Sequence, residues 1–178
     1  FPLSELGATE TITIGRGGQG TSTDQNAADG TNSTFGSHVT SYGGKGGDDD
    51  DGQFAQGSTP FGRGNRNNAD PATFANHRDN FAFSIFSGGY GARQSGSAGV
   101  TSVGGNAIFG GAGGGSSDYQ NDQGGAGGTS LIGGNGGAGK GGGSTPGVDG
   151  SIPGGGGGAA EEPAGGSGGD GECWVLIF

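Results

Sequence analysis

Glycine doublets separated by single residues recur through much of this chain, and they restrict it to architectures in which bare backbones touch. Gly124-Gly125-Ala126-Gly127-Gly128, Gly133-Gly134-Asn135-Gly136-Gly137-Ala138-Gly139 and the run Gly154 to Gly158 carry the pattern. Collagen requires glycine at every third position with proline filling many of the others, whereas here the glycines are paired and only 6 prolines occur. In a left-handed extended helix with three residues per turn, a Gly-Gly-X repeat points every X down one side. The other two sides are bare backbone, able to hydrogen-bond to neighbouring helices. Inward positions such as Gly134 and Gly137 then have no room for a Cβ, and valine there is expected to cost several times the ~1 kcal/mol of a surface change. The intervening Asn135 is expected to tolerate alanine at little cost.

Composition rules out an ordinary core. Leu, Ile, Val and Phe supply 26 of the 178 residues, and the net charge is -10. On composition alone that places the chain with disordered sequences. The regular phasing and the strand-like ends argue instead for a fold. Apolar burial at ~25 cal/mol per Å² cannot offset ~1–2 kcal/mol of backbone entropy per residue with so few apolar side chains. Dense backbone hydrogen bonding, at ~0.5–1.5 kcal/mol each, must supply the difference. Close Cα–H···O contacts between glycine helices add a smaller contribution.

Several function classes are disfavoured at once. The 7 Lys and Arg are scattered between Arg16 and Lys140 and form no patch for nucleic acid. No apolar stretch approaches the ~20 residues of a membrane span. Cys173 is the single cysteine, so no internal disulfide framework exists, and it reads as a small apolar residue of a terminal strand. A chain opening at Phe1 with no Met reads as a processed or truncated product.

Along the chain, Thr9-Glu10-Thr11-Ile12-Thr13-Ile14 alternates and is β-branched, predicting a strand with Ile12 and Ile14 on one face. Residues 15–41 read as polar and turn-rich. From about Pro60 to Tyr90 glycine thins and aromatics gather: Phe61, Phe74, Phe81, Phe83, Phe86 and Tyr90. Glycine phasing returns near Gly88 and runs to Gly171. Glu172-Cys173-Trp174-Val175-Leu176-Ile177-Phe178 reads as a dense apolar strand, and the two terminal strands are expected to pair and clamp the body.

The motifs that suggest chemistry are weak. Gly15-Arg16-Gly17-Gly18-Gln19-Gly20 satisfies the dinucleotide fingerprint, but Thr21 to Gly30 has no apolar helical period to place the required helix after it. Gly43 to Asp48 and Gly165 to Asp170 match the start of a calcium β-roll repeat. Asp50 and Glu172 stand where that repeat needs apolar residues, and the copies are far apart. Asp48, Asp49, Asp50 and Asp51 offer oxygens to a hard cation, but adjacent carboxylates diverge and read as a solvated loop. Asn32-Ser33-Thr34 fits a glycosylation sequon, which means little without evidence of secretion. His38 and His77 lie in loop-like sequence with no Ser or Cys placed as a partner, and no metal-ligand spacing occurs. Neither catalytic residues nor a cofactor are expected. The aromatic middle reads either as a local mini-core or subunit contact, or as a recognition loop using aromatic area at low entropy cost.

In the order of its motifs the chain resembles the glycine-rich domains of tailed-bacteriophage tail proteins and tail fibres. Gly7 to Gly15 resembles their opening strand, and Thr34-Phe35-Gly36-Ser37-His38 their segment leading into a Gly-Gly-X-Gly-Gly run. The proline-led run from Pro153 to Gly158, then Gly168-Gly169-Asp170-Gly171 and the apolar end, resembles their close. The likeness covers about Leu6 to Gly47 and Gly88 to Phe178, and the terminal strand departs from it by staying apolar where related sequences end in acidic and aromatic residues. What it implies is a virion part. Related adhesins at fibre tips stack glycine helices into a sandwich and display variable loops to the bacterium.

The expected architecture is therefore mostly irregular and β: a bundle or sandwich of extended polyglycine-II-type helices, clamped by N- and C-terminal strands, with little or no α-helix. It forms one domain over residues 1–178, with 60–90 as an aromatic-rich insertion. The expected function is a non-enzymatic virion protein of a tail fibre or tail tip, binding the host surface through Phe74, Phe81, Phe83, Phe86 and Tyr90. Its expected partners are other virion proteins in a larger assembly and a bacterial surface receptor. The alternative is a purely structural virion element, a capsid decoration or fibre connector. A third, weaker reading is an ice-binding bundle, which the charged interruptions disfavour.

Overall fold

Backbone hydrogen bonds between the glycine segments advance in steps of three residues, the signature of a helix with three residues per turn. A computed structural model of the chain describes residues 2–21, 27–47, 103–117, 124–141, 145–160 and 164–177. In it the N–H groups of Gly134, Gly137 and Lys140 donate to the carbonyls of Pro153, Gly156 and Ala159 at 2.7–2.8 Å. Equal steps in both sequences make segments 133–141 and 153–160 parallel neighbours. Val148 and Ser151 donate to Ala138 and Asn135, an antiparallel pair of segments stepping by three in opposite senses. Gly165, Gly168 and Gly171 donate in the same opposed fashion to Thr21, Gly18 and Gly15.

The same bookkeeping places every segment. Segment 133–141 bonds to 111–117, 124–130, 145–151 and 153–160. Segment 153–160 bonds in addition to 111–117 and 164–171. Segments 15–21, 27–32 and 42–47 extend the stack outward from 164–171. A helix bonded on several sides is possible only because the threefold repeat points successive N–H and C=O groups in different radial directions. Among the described glycines only Gly36 and Gly154 have positive φ, so the glycine helices keep one hand, with Gly154 (φ 74°) closing a turn.

Side-chain burial contributes little. Among the described residues the buried hydrophobic side chains are those of Ala107 and Ala112, joined by the buried Ser116 and Ser117. The interior is backbone against backbone. A Cβ built on Gly134 would collide with the Ser151 carbonyl oxygen and one on Gly137 with that of Val148, both far inside the 3.0 Å that real Cβ atoms respect. The expectation that these glycines face inward holds.

No α-helix occurs among the described residues; the helical turn Leu3–Glu5 is 3-10. The regular β-structure is a three-stranded antiparallel sheet of β1 (Ile12–Thr13), β2 (Ser33–Phe35) and β3 (Val39–Ser41), in the order β1-β2-β3. Ile12 faces Phe35, and Phe35 faces Val39, so one apolar row crosses the sheet. Gly36 at φ 52° makes the hairpin between β2 and β3. Sequence reading treated residues 15–41 as turn-rich and missed β2 and β3, because each is three residues long and too short to display alternation.

The terminal clamp takes a different form from the one expected. β1 pairs with β2, and residues 172–177 form no strand. The chain ends meet one step earlier, through glycine helices: Gly171 N–H donates to the Gly15 carbonyl, and Gly17 N–H to Asp170 Oδ1 at 2.9 Å. Apolar β-branched sequence supplies strand propensity but not a partner edge, and among the described residues the tail makes no ladder. Cys173 accordingly lies exposed rather than inside a strand.

Candidate functional site

The alternating directions of the segments give the bundle two distinct ends. Segments 103–107, 124–130, 145–151 and 164–171 run toward one end, and 111–117, 133–141, 153–160 and 15–21 run away from it. At the first end lie the tight turns around 107–110, 130–133 and 151–154, the small sheet and the start of the tail. At the other end lie Ala27, Gly47, Ser117 and Gly124. Gly47 bonds to Ala27, Thr21 to Gly165, Lys140 to Ala159 and Gly147 to Ala164, while Ser117 bridges Gly124.

The three turns themselves are apolar. Ile132 N–H donates to the Ile108 carbonyl at 2.9 Å, and Ser130 Oγ lies 3.3 and 2.7 Å from the carbonyls of Ile108 and Gly110, holding the first two turns together. The third joins through Gly134 N–H to Pro153. Asn135 Oδ1 accepts from Ser130 N–H at 2.9 Å, and Ser151 Oγ accepts from Asn135 N–H at 2.7 Å. These polar ties hold the backbone, so the large side chains project outward: Leu131 is 78% exposed, and Phe109, Ile132 and Ile152 are exposed as well. Gly154 N–H donates to the Asp170 carbonyl, placing the start of the tail beside the third turn; along the tail Trp174, Val175, Leu176 and Ile177 are exposed.

Charged groups in the described structure serve the backbone. Asp170, Asp149 and Asp29 accept N–H bonds from Gly17, Ser167 and Gly46. Lys45 Nζ pairs with Asp29 Oδ2 at 2.6 Å. Glu10 Oε1 accepts from Gly7 N–H at 2.7 Å and lies 3.2 Å from His38 Nε2. The Gly7 bond first, and then His38, hold the Glu10 carboxyl below its ordinary range. Asn32, the sequon residue, accepts the Gly43 N–H. Gly17 and Gly20 of the apparent dinucleotide fingerprint abut the backbone of Gly168 and Gly165 instead of opening a helix. Among the described residues no three His, Cys, Asp or Glu converge as metal ligands, and no helix is long and apolar enough to cross a membrane.

Phe74, Phe81, Phe83, Phe86 and Tyr90 lie outside the described residues, as do His77 and Asp48 to Asp51. What the structure does locate is where that stretch is attached: Gly47 and Val103 both sit at the end opposite the apolar turns. The cluster at the turns was missed by reasoning from sequence. Its signal was present in the apolar pairs Ile108-Phe109 and Leu131-Ile132, each interrupting a glycine run, but only the stacking of the turns makes them one surface.

The glycine-rich domain family model matches residues 3–177. No curated protein and no solved structure matches the chain.

Proposed function

The chain belongs to the glycine-rich domain family, and from that premise we propose that it is a non-enzymatic virion protein of a tailed bacteriophage, a tail-fibre or tail-tip component that binds the host cell surface. The observation that carries this reading is the two-ended bundle. Gly47 and Val103, on either side of the aromatic-rich sequence, both sit at the end opposite the apolar turns, and a framework that brings the two ends of such a segment together is how recognition loops are held on other scaffolds. The resemblance of the ordered motifs to those of phage tail proteins supports a virion setting. The aromatic stretch supplies contact area, with Phe81, Phe83 and Phe86, together with Phe74 and Tyr90, as the residues that engage a bacterial surface receptor. Other virion proteins are the partners that carry the domain. The rival reading, a capsid decoration or fibre connector without a receptor, draws on the exposed apolar turns, which suit a structural contact.

Adsorption of virions carrying Phe81→Ser and Phe83→Ser tests the proposal. Particles that assemble normally and lose host binding are the expected result. Failure to assemble would assign these aromatics to a subunit contact and favour the structural reading. Normal assembly with normal adsorption would overturn the assignment.

A further inference from the structure

The turn end carries an inference that goes beyond host binding. Leu131, Ile132, Phe109 and Ile152 project from three hydrogen-bonded turns, and the tail leaves from beside the third with Trp174 79% and Ile177 77% exposed. At ~150–250 Å² per large side chain, these six exposed residues offer several hundred Å² in all, on the scale of the ~300–600 Å² of the largest patch on a typical monomer and of the ~800 Å² that each partner of a standard protein interface contributes.

We propose that the turn end is a self-association surface on which a second copy of this chain packs its own turn end about a twofold axis. Three observations select a second copy over another occupant. The exposed apolar side chains approach what one side of an interface contributes, and a symmetric contact uses the same surface twice. The tail from Cys173 to Ile177 is strand-forming sequence that makes no ladder among the described residues, and an antiparallel pairing of two such tails would satisfy both copies with one contact. Charge also permits it. The turn segments 107–110, 130–133 and 151–154 contain no charged residue, nor does the tail beyond Glu172, so the side chains brought together by such a contact between two chains of net charge -10 carry no charge of their own. The same absence of basic residues disfavours an anionic lipid surface.

Light scattering on the eluting protein tests this. Interfaces of such size hold at micromolar concentration or tighter, so at about 100 µM the expected mass is twice the 16.9 kDa of the chain. The variant Leu131→Ser with Ile132→Ser, and separately Trp174→Ser with Leu176→Ser, should each elute with the mass of one chain. Because all four side chains are exposed, the melting temperature extrapolated to low concentration should stay that of the parent. A parent that remains at the mass of one chain overturns the proposal. So does a dimer indifferent to both variants, or open-ended association, which a closed twofold contact forbids. None of these substitutions touches residues 48–102, so loss of dimerisation and loss of host adsorption are separately observable.

Discussion

Adding one methyl group at Gly137 should unfold this protein at a much lower temperature, while the same methyl at Gly44 should do nothing harmful. Gly137 is buried, and its Cβ would occupy space held by the Val148 carbonyl oxygen. Backbone cannot rotate out of the way as a side chain can, so segment 145–151 must withdraw from 133–141 by more than an ångström. That breaks the bonds from Val148 to Ala138 and from Ser151 to Asn135, both 2.9 Å. Two net bonds at ~0.5–1.5 kcal/mol, with ~1–3 kcal/mol for one backbone group left without partner or water, come to about 2–6 kcal/mol. The lower chain entropy of alanine in the unfolded state returns ~0.4–1 kcal/mol. A net loss of about 3 kcal/mol shifts the melting temperature of a chain this size by roughly 6–12 °C. A Cβ on Gly44 meets nothing within 4 Å, and its residue accepts the Gly30 N–H through a carbonyl that alanine retains. Gly44→Ala should therefore be neutral or slightly stabilising. Calorimetry on the two variants reads the difference directly. Melting temperatures within about 2 °C of one another, where ~1 kcal/mol corresponds to ~2–4 °C, would refute the close-packed backbone interior.

Asn135→Ala should cost about 1 kcal/mol, more than its exposed position alone suggests, because the Oδ1 acceptor for Ser130 N–H is lost; a thermal melt shifted by less than a degree would contradict this. Glu10 is a carboxyl with a lowered folded pKa, so its contribution to folding is present above its ordinary value of 4.5 and is lost as pH falls through the lower folded value. The Gly7 amide, its donor, should accordingly lose protection from hydrogen exchange at acid pH, relative to the intrinsic rate at each pH, in the parent but be insensitive there in Glu10→Ala.

The three-residue period, the inward-facing glycines and the absence of α-helix among the described residues were legible in the chain itself. Each is local: a Gly-Gly-X triplet states which sides of its own helix lack a Cβ. The neighbours of each helix were not legible. Every glycine backbone offers the same donors and acceptors, so segment 133–141 could be written beside any other, parallel or antiparallel. Its actual partners follow from turns such as 130–133 and 151–154, where Ser130, Asn135 and Ser151 tie one segment to the next. The tail shows the same division. Strand propensity in Cys173 to Ile177 is a property of those residues, but a strand is a property of two edges, and no ladder to the tail forms within the described structure. The apolar end likewise exists only because three turns distant in sequence are stacked by backbone hydrogen bonds whose direction and register no single turn contains.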